Sequence, residues 1–219
     1  MTSSMTSAEF GSESGAEVRK KTDLRVIKTK RSIREAFIKL MNSKGLESMT
    51  VQDILDEALI NRKTFYTYYH DKYDLAEQIA ADFLRGFDEM LQQRFPASEG
   101  GRPKPFPIDD IYAELNQNRE EVKAIWSIRT DRVNVFDELS ERLQKVYLHM
   151  AEYYGVPGDT TLQAYMYATF VLATYQHIMT TDEIFDTNEL LAEYKNLCTV
   201  IEKAARGDAA TSASRSRQA

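Results

Sequence analysis

The chain has 219 residues, 42% of them apolar, with 28 Lys/Arg against 34 Asp/Glu and a net charge of -6. That apolar content supports a packed core and excludes a wholly disordered protein, while the one cysteine, Cys198, excludes an internal disulfide framework and suits a reducing compartment. The most apolar run, Ala164–Met179, is shorter than the ~20 residues that span a bilayer and the first eighteen residues hold no apolar stretch, so the expectation is a soluble, cytoplasmic protein without a signal peptide.

Charge is divided unevenly. Arg19 to Lys72 holds 13 bases and 7 acids, net +6, which leaves -12 for the remainder; within it, Arg19–Lys44 has ten bases and two acids. A basic head on an acidic body points the head alone at a polyanion. Lys28, Lys30, Arg31 and Arg34 are read equally well as solvated charge or as phosphate neighbours.

Taken in chain order, residues 1–22 read as a disordered tail, rich in Ser, Gly and Glu. Prolines then punctuate the chain only at 96–107 and at Pro157, and no stretch alternates as a strand does, so the fold class is all-α. A first helix is expected over Leu24–Ser43, its stripe of Ile33, Phe37, Leu40 and Met41 ending at Lys44-Gly45. Thr50 caps a second helix to Ala58, with Asp53 three residues on completing a capping box. Leu59-Ile60-Asn61 makes a turn, and a third helix follows over Arg62–Tyr69. Asp71, with Asp74, opens a fourth that runs to Arg94. Two short helices joined by a tight turn between longer ones describe a helix-turn-helix head over 23–70. A helical body occupies 71–206, with helices near 108–117, 119–130, 132–154, 160–180 and 187–205. Residues 207–219 read as a second disordered tail.

The third helix is crowded with rings for two reasons. Phe65 and Tyr69 are four apart and share an inward face against Ile54, Ala58 and the first helix. The opposite side presents Lys63, Thr67 and His70, flanked by Thr64 and Tyr66, and holds no aliphatic residue.

The stretch TVQDILDEALINRKTFYTYYHDKYDL, Thr50–Leu75, resembles the N-terminal signature of the TetR family of bacterial transcriptional regulators, over about Lys30–Ile79. The resemblance implies that Thr64, Tyr66, Tyr68 and Lys72 touch DNA phosphates and that Arg62 and Lys63 reach base edges in the major groove. Thr50 stands where a helix N-terminus meets a phosphate, and Gln52 where a side chain reaches a base or a phosphate. Asn61, Thr67 and His70 complete the expected DNA-binding set. Two positions depart from the family pattern. Leu59 stands where glycine is commonest, so the turn is expected to do without a glycine-only conformation. Tyr68 replaces the more frequent histidine.

In the body, Tyr112, Trp126, Phe136, Tyr147, Tyr167, Phe170 and Tyr175 are candidates for lining the effector cavity that the resemblance implies; each is also an ordinary core aromatic. Glu114, Glu120 and Glu121 read as a solvated face. The helix over 160–180 is apolar nearly all round, with Ala164 and Ala168 one turn apart. Together with 187–205 it is expected to form a two-fold homodimer through a four-helix bundle, as TetR-like regulators do. The histidines, His70, His149 and His177, form no metal-binding spacing, and no nucleophile or phosphate-loop motif is present. No enzyme activity, cofactor, metal or membrane contact is therefore expected. The sequence reads as a regulator, more often a repressor, that binds a palindromic operator in double-stranded DNA and is released by an unidentified small molecule. A co-regulator acting through protein contacts and a helical-bundle enzyme are the rival readings.

Overall fold

A computed structural model describes residues 10–94, 117–181 and 187–206. These form eight α-helices: α1 Phe10–Ser48, α2 Val51–Ala58, α3 Arg62–Tyr66, α4 Lys72–Arg94, α5 Arg119–Trp126, α6 Val135–Tyr154, α7 Thr160–Thr180 and α8 Thr187–Ala205. Among the described residues the only strand-like pairing is one bridge, Arg129 with Asn134. The fold is all-α. The expected helix near 108–117, with Tyr112 and Glu114, lies outside the described residues.

The first helix departs from expectation at its start, Phe10 rather than Leu24. Glycine and serine weaken a helix by about 1 kcal/mol per residue or less, and no proline is there to stop one. Its end follows the sequence: Gly45, at φ 73° and ψ 169°, breaks the helical path.

Ile33, Phe37, Leu40 and Met41 are buried against Ile54, Leu55, Phe65, Leu75 and Ile79, and the same cluster continues through Ile125, Ile128, Leu139 and Leu172. Head and body therefore share one core. Polar joints reinforce it. Arg34 of α1 meets Glu121 of α5, with Nε to Oε1 at 2.7 Å, and Asn42 donates to the Glu120 carbonyl at 2.8 Å. Glu120 is exposed and Glu121 half-buried, and both also hold partners about eighty residues earlier in the chain, which the sequence did not signal. Residue 119 completes the knot, because the Arg119 guanidinium donates to the carbonyls of Ile178, Met179 and Thr181 and so closes the C-terminus of α7.

The body also grips α4 directly. Thr130 and Arg132, on the turn after α5, both reach Glu77, and Arg142 of α6 makes a two-pronged pair with Asp88 at 2.8 and 3.2 Å. α6 and α7 pack together as the main helix pair of the body. Ala164 and Ala168 are fully buried within the chain. The expectation that these small residues face a second subunit is corrected: the close approach they permit is used inside the protomer.

Candidate nucleic-acid interface

The two short helices are closed by side chains at their starts. Asp53 N–H donates to Thr50 Oγ1 at 3.1 Å, while Thr50 N–H and Oγ1 each donate to Asp53 Oδ2 at 2.8 Å. The Thr50 backbone N–H, followed by its hydroxyl and the Lys44 ammonium, holds the Asp53 carboxyl down at about 2. Because that value is depressed, the box is intact above the ordinary carboxylate range and weakens as pH falls toward 2. Asn61 Oδ1 accepts from Thr64 N–H at 2.8 Å and from Thr64 Oγ1 at 2.9 Å, fixing the start of α3. Regular α3 stops at Tyr66, short of the expected Tyr69. Even so, the N–H groups of Tyr68 and Tyr69 both reach the Phe65 carbonyl, at 2.9 and 3.1 Å, so the backbone keeps a helical course.

The turn between them corrects a second expectation. Leu59 adopts the left-handed conformation, φ 53° and ψ 45°, that glycine usually supplies, with its side chain 90% exposed. Its N–H and that of Ile60 both return to the Leu55 carbonyl, which closes α2 and holds the residue there. A non-glycine residue in that region costs roughly 1–2 kcal/mol.

These constraints sort the side chains by face. Phe65 is fully buried and Tyr69 nearly so, their rings 5.6 Å apart, and burial pushes the Tyr69 phenol above its ordinary range. Asn61, Arg62, Lys63, Tyr66, Thr67 and His70 are exposed on the other side, with Thr64 and Tyr68 half-buried between. Thr50 and Gln52 of α2 are exposed as well. Gln52 donates to Asp56 at 2.8 Å and accepts from Arg62 Nη2 at 3.2 Å, so α2 aims the Arg62 side chain while leaving it further donors.

Lys72 has another occupation. Its ammonium donates to the carbonyls of Leu46, Glu47 and Met49 at 2.8, 2.9 and 2.9 Å, which matches its three N–H bonds. It ties the start of α4 to the end of α1, and a phosphate there would have to compete with those carbonyls.

Known proteins resemble this arrangement. Residues 33–79 match the model of bacterial regulatory proteins of the tetR family, from the buried stripe of α1 into the first turns of α4. The head is a TetR-family domain. Over 63 residues the chain is 27% identical to the uncharacterized HTH-type transcriptional regulator YxbF of Bacillus subtilis (strain 168), a match that spans 29% of this chain and only 17% of that protein. Two solved structures share the fold beyond the TetR-family head. A Clostridium perfringens protein named for the regulation of fatty acid metabolism gives a TM-score of 0.56 at 18% identity, over 74% of this chain and 94% of that one. A gamma-butyrolactone receptor (ArpA-like protein) gives 0.53 at 19% identity, over 83% and 99%.

Behind the TetR-family head, the body's aromatic candidates separate into three groups. Trp126 packs tilted at 4.6 Å from Tyr175 and edge-on at 6.4 Å from Phe136. Tyr147 lies 5.3 Å from Tyr167 and donates its hydroxyl to Gln163, and Phe170 meets Tyr194 of α8 at 4.8 Å. Trp126 Nε1 is buried without a hydrogen-bond partner among the described residues. A cleft of about 900 Å³ lies elsewhere, at the junction of head and body between His70–Glu77 and Ser127–Arg132. Among the described residues no helix is long and apolar enough to cross a membrane, and no cluster of metal-ligating side chains occurs.

Proposed function

We propose that the protein is a homodimeric DNA-binding transcriptional regulator, a repressor that binds a palindromic operator and releases it when a small molecule occupies the body. The observation that carries this reading is the division of α3 and the turn that continues it: Phe65 and Tyr69 sealed in the core, and Arg62, Lys63, Tyr66 and Thr67 turned outward after a capped start. Hydroxyls and cations hold phosphates and set the register, while an arginine can grip guanine O6 and N7 with two hydrogen bonds. Gln52 pre-aims Arg62 for that task. Lys63, Thr64, Thr67, Tyr68 and His70, with Thr50 at the start of α2, line the phosphate side, and Lys72 serves by holding α4 to the head.

Dimerisation is supported by exposed apolar residues. Leu191, Tyr194, Leu197, Val200 and Ile201 on α8, with Leu162, Tyr165 and Met166 on α7, stand in solvent in a single protomer. A second copy covers them, and a two-fold dimer presents two α3 helices to half-sites ~34 Å apart. The effector reading is supported by α5, which has the Trp126 cluster at one end and the Arg34 and Asn42 contacts at the other. A ligand that accepts a hydrogen bond from Trp126 Nε1 shifts α5, and with it the head, through α1 as well as α4. Coupling of ~1–3 kcal/mol is enough for such control. A body of this fold serves a gamma-butyrolactone receptor in one structural neighbour.

Fluorescence anisotropy with a duplex from the promoter upstream of the coding sequence tests the core of the proposal. Arg62→Ala weakens that duplex by ~1–3 kcal/mol and leaves random duplex nearly unchanged. Equal losses on both reassign Arg62 to phosphates, and failure of the unaltered protein to bind any duplex overturns the proposal.

A further inference from the structure

Three consecutive residues at the start of α5 join two distant elements. Arg119 donates to the carbonyls of Ile178, Met179 and Thr181, with Nε to Met179 at 3.2 Å and Nη2 to Ile178 at 2.6 Å. Asn42 Nδ2 donates to both the carbonyl and the carboxylate of Glu120, at 2.8 and 3.1 Å. Arg34 Nε donates to Glu121 Oε1 at 2.7 Å. One turn of helix thus links the C-terminus of α7 to α1 of the head.

Both ends of this link are built to carry orientation. The last carbonyls of a helix have no partner within it, so a guanidinium that takes three at the end of α7 fixes where that helix points. On the other side, Arg34 and Asn42 stand eight positions apart on α1, ~12 Å along its axis. Two separated anchors resist a rotation that one allows. Leu162, Tyr165, Thr169, Ala173 and Gln176 are exposed along the length of α7, so the surface read above as part of the subunit interface belongs to the helix whose end Arg119 holds. The body's grip on α4, through Glu77 and Asp88, comes from Thr130, Arg132 and Arg142, none of which lies on α7.

We propose that Arg119, Glu120 and Glu121 are positioning residues, a strut that carries the orientation of the subunit interface to α1 and so sets the half-site spacing the dimer accepts. This rests on the dimeric DNA-binding reading above and names what governs its spacing. The strut touches no DNA and acts through geometry. Held by it, the head keeps one angle to α7 and the dimer tolerates one separation of half-sites. Released from it, the head keeps its grip through α4 and the shared apolar core, and apolar packing is non-directional.

The test is equilibrium binding of the full chain to duplexes with one half-site, or with two at the native spacing and at small displacements to either side. Half-sites are taken from the footprint of the unaltered protein on the promoter upstream of its coding sequence. Arg119→Gln breaks the strut at α7, and Asn42→Ala with Glu121→Ala breaks it at α1. Glu57→Gln, which loosens the Lys39–Glu57 pair inside the head, is the control. Both broken forms are expected to stay dimeric in sedimentation and to bind one half-site as the unaltered protein does. In each, the penalty for a displaced half-site is expected to shrink about fivefold or more, the low end of ordinary coupling between sites, and to stay as it was in Glu57→Gln. Where Arg119→Gln does not fold, Arg119→Lys keeps the charge, loses the fork and is expected to shift the penalty in the same direction.

An unchanged spacing penalty in a dimeric variant overturns the proposal. So does an equal loss on one half-site and on two, which makes the strut a support of the head's own fold. Dissociation of Arg119→Gln into monomers overturns it as well, because Arg119 then shapes the interface itself. In these cases the unaltered protein still binds its operator as a dimer and the DNA-binding reading stands. Binding of the unaltered protein to no duplex removes both.

Discussion

The head and the distal body solve the problem of exposed groups in opposite ways. In the head, short helices are closed by local side chains, Thr50 with Asp53, Asn61 with Thr64, and Lys72 on three carbonyls. Phe65 and Tyr69 are inside, and the outward side of α3 is mostly cations and hydroxyls with the Tyr66 ring among them. In the distal body, α8 carries Val200 and Ile201 at 64% and 58% exposure, and its ring contact is Tyr194 against Phe170. The head is complete as a single copy. The body leaves apolar side chains exposed, which the proposed dimer would cover. A regulator of two-fold DNA needs this combination, since a rigid reader is useful only when an interface sets the distance between two of them.

That contrast can be broken from either side. The largest effect is expected from charging α8. Val200→Glu with Ile201→Glu leaves head stability unchanged but removes the dimer in sedimentation, and binding to a full operator falls to that of one half-site. A variant that stays dimeric would place the interface elsewhere. Next, Phe65→Ala opens a cavity in the shared core and costs about 3–5 kcal/mol in denaturant unfolding; a cost below 1 kcal/mol would mean that the ring is not the keystone of α3. Lys72→Ala removes charged donors from three carbonyls and should cost ~1.5–3 kcal/mol of stability. If stability is unchanged while the salt slope of DNA binding falls by about one, Lys72 is a phosphate contact instead. The smallest change is Leu59→Gly, which relieves the left-handed backbone and adds chain entropy to the unfolded state, for a net gain of roughly 0.5–1 kcal/mol. A loss would show that the leucine side chain has a role that its exposure does not reveal.

The sequence was most legible where structure is local. Caps at Thr50 and Asp71 are read from neighbours three residues away, and both side chains accept the expected backbone N–H, whereas Asn61, read only as part of a turn, proves to cap α3. The three-four spacing of Ile33, Phe37, Leu40 and Met41 likewise marked the buried stripe. What escaped were contacts between distant segments. Nothing near Glu121 signals Arg34, and nothing near Lys72 signals the carbonyls at the end of α1. Ala164 and Ala168 announced close packing without saying against what, and the answer is their own chain. Leu59 shows the converse: a residue that disfavours the left-handed region is held there by the hydrogen bonds that close α2. The Ser-, Gly- and Glu-rich composition before Leu24 suggests a tail, yet glycine and serine in a helical conformation only weaken a helix, and α1 runs back to Phe10.

The claim on which the rest depends is that the outward side of α3 lies against DNA. Backbone hydrogen exchange of the full chain, followed with and without the promoter duplex, measures this residue by residue. The account predicts slowed exchange across Arg62–Thr67 and at the start of α2, with α6 unaffected by direct contact. Protection confined to the body, with α3 exchanging as it does in the free protein, would contradict it.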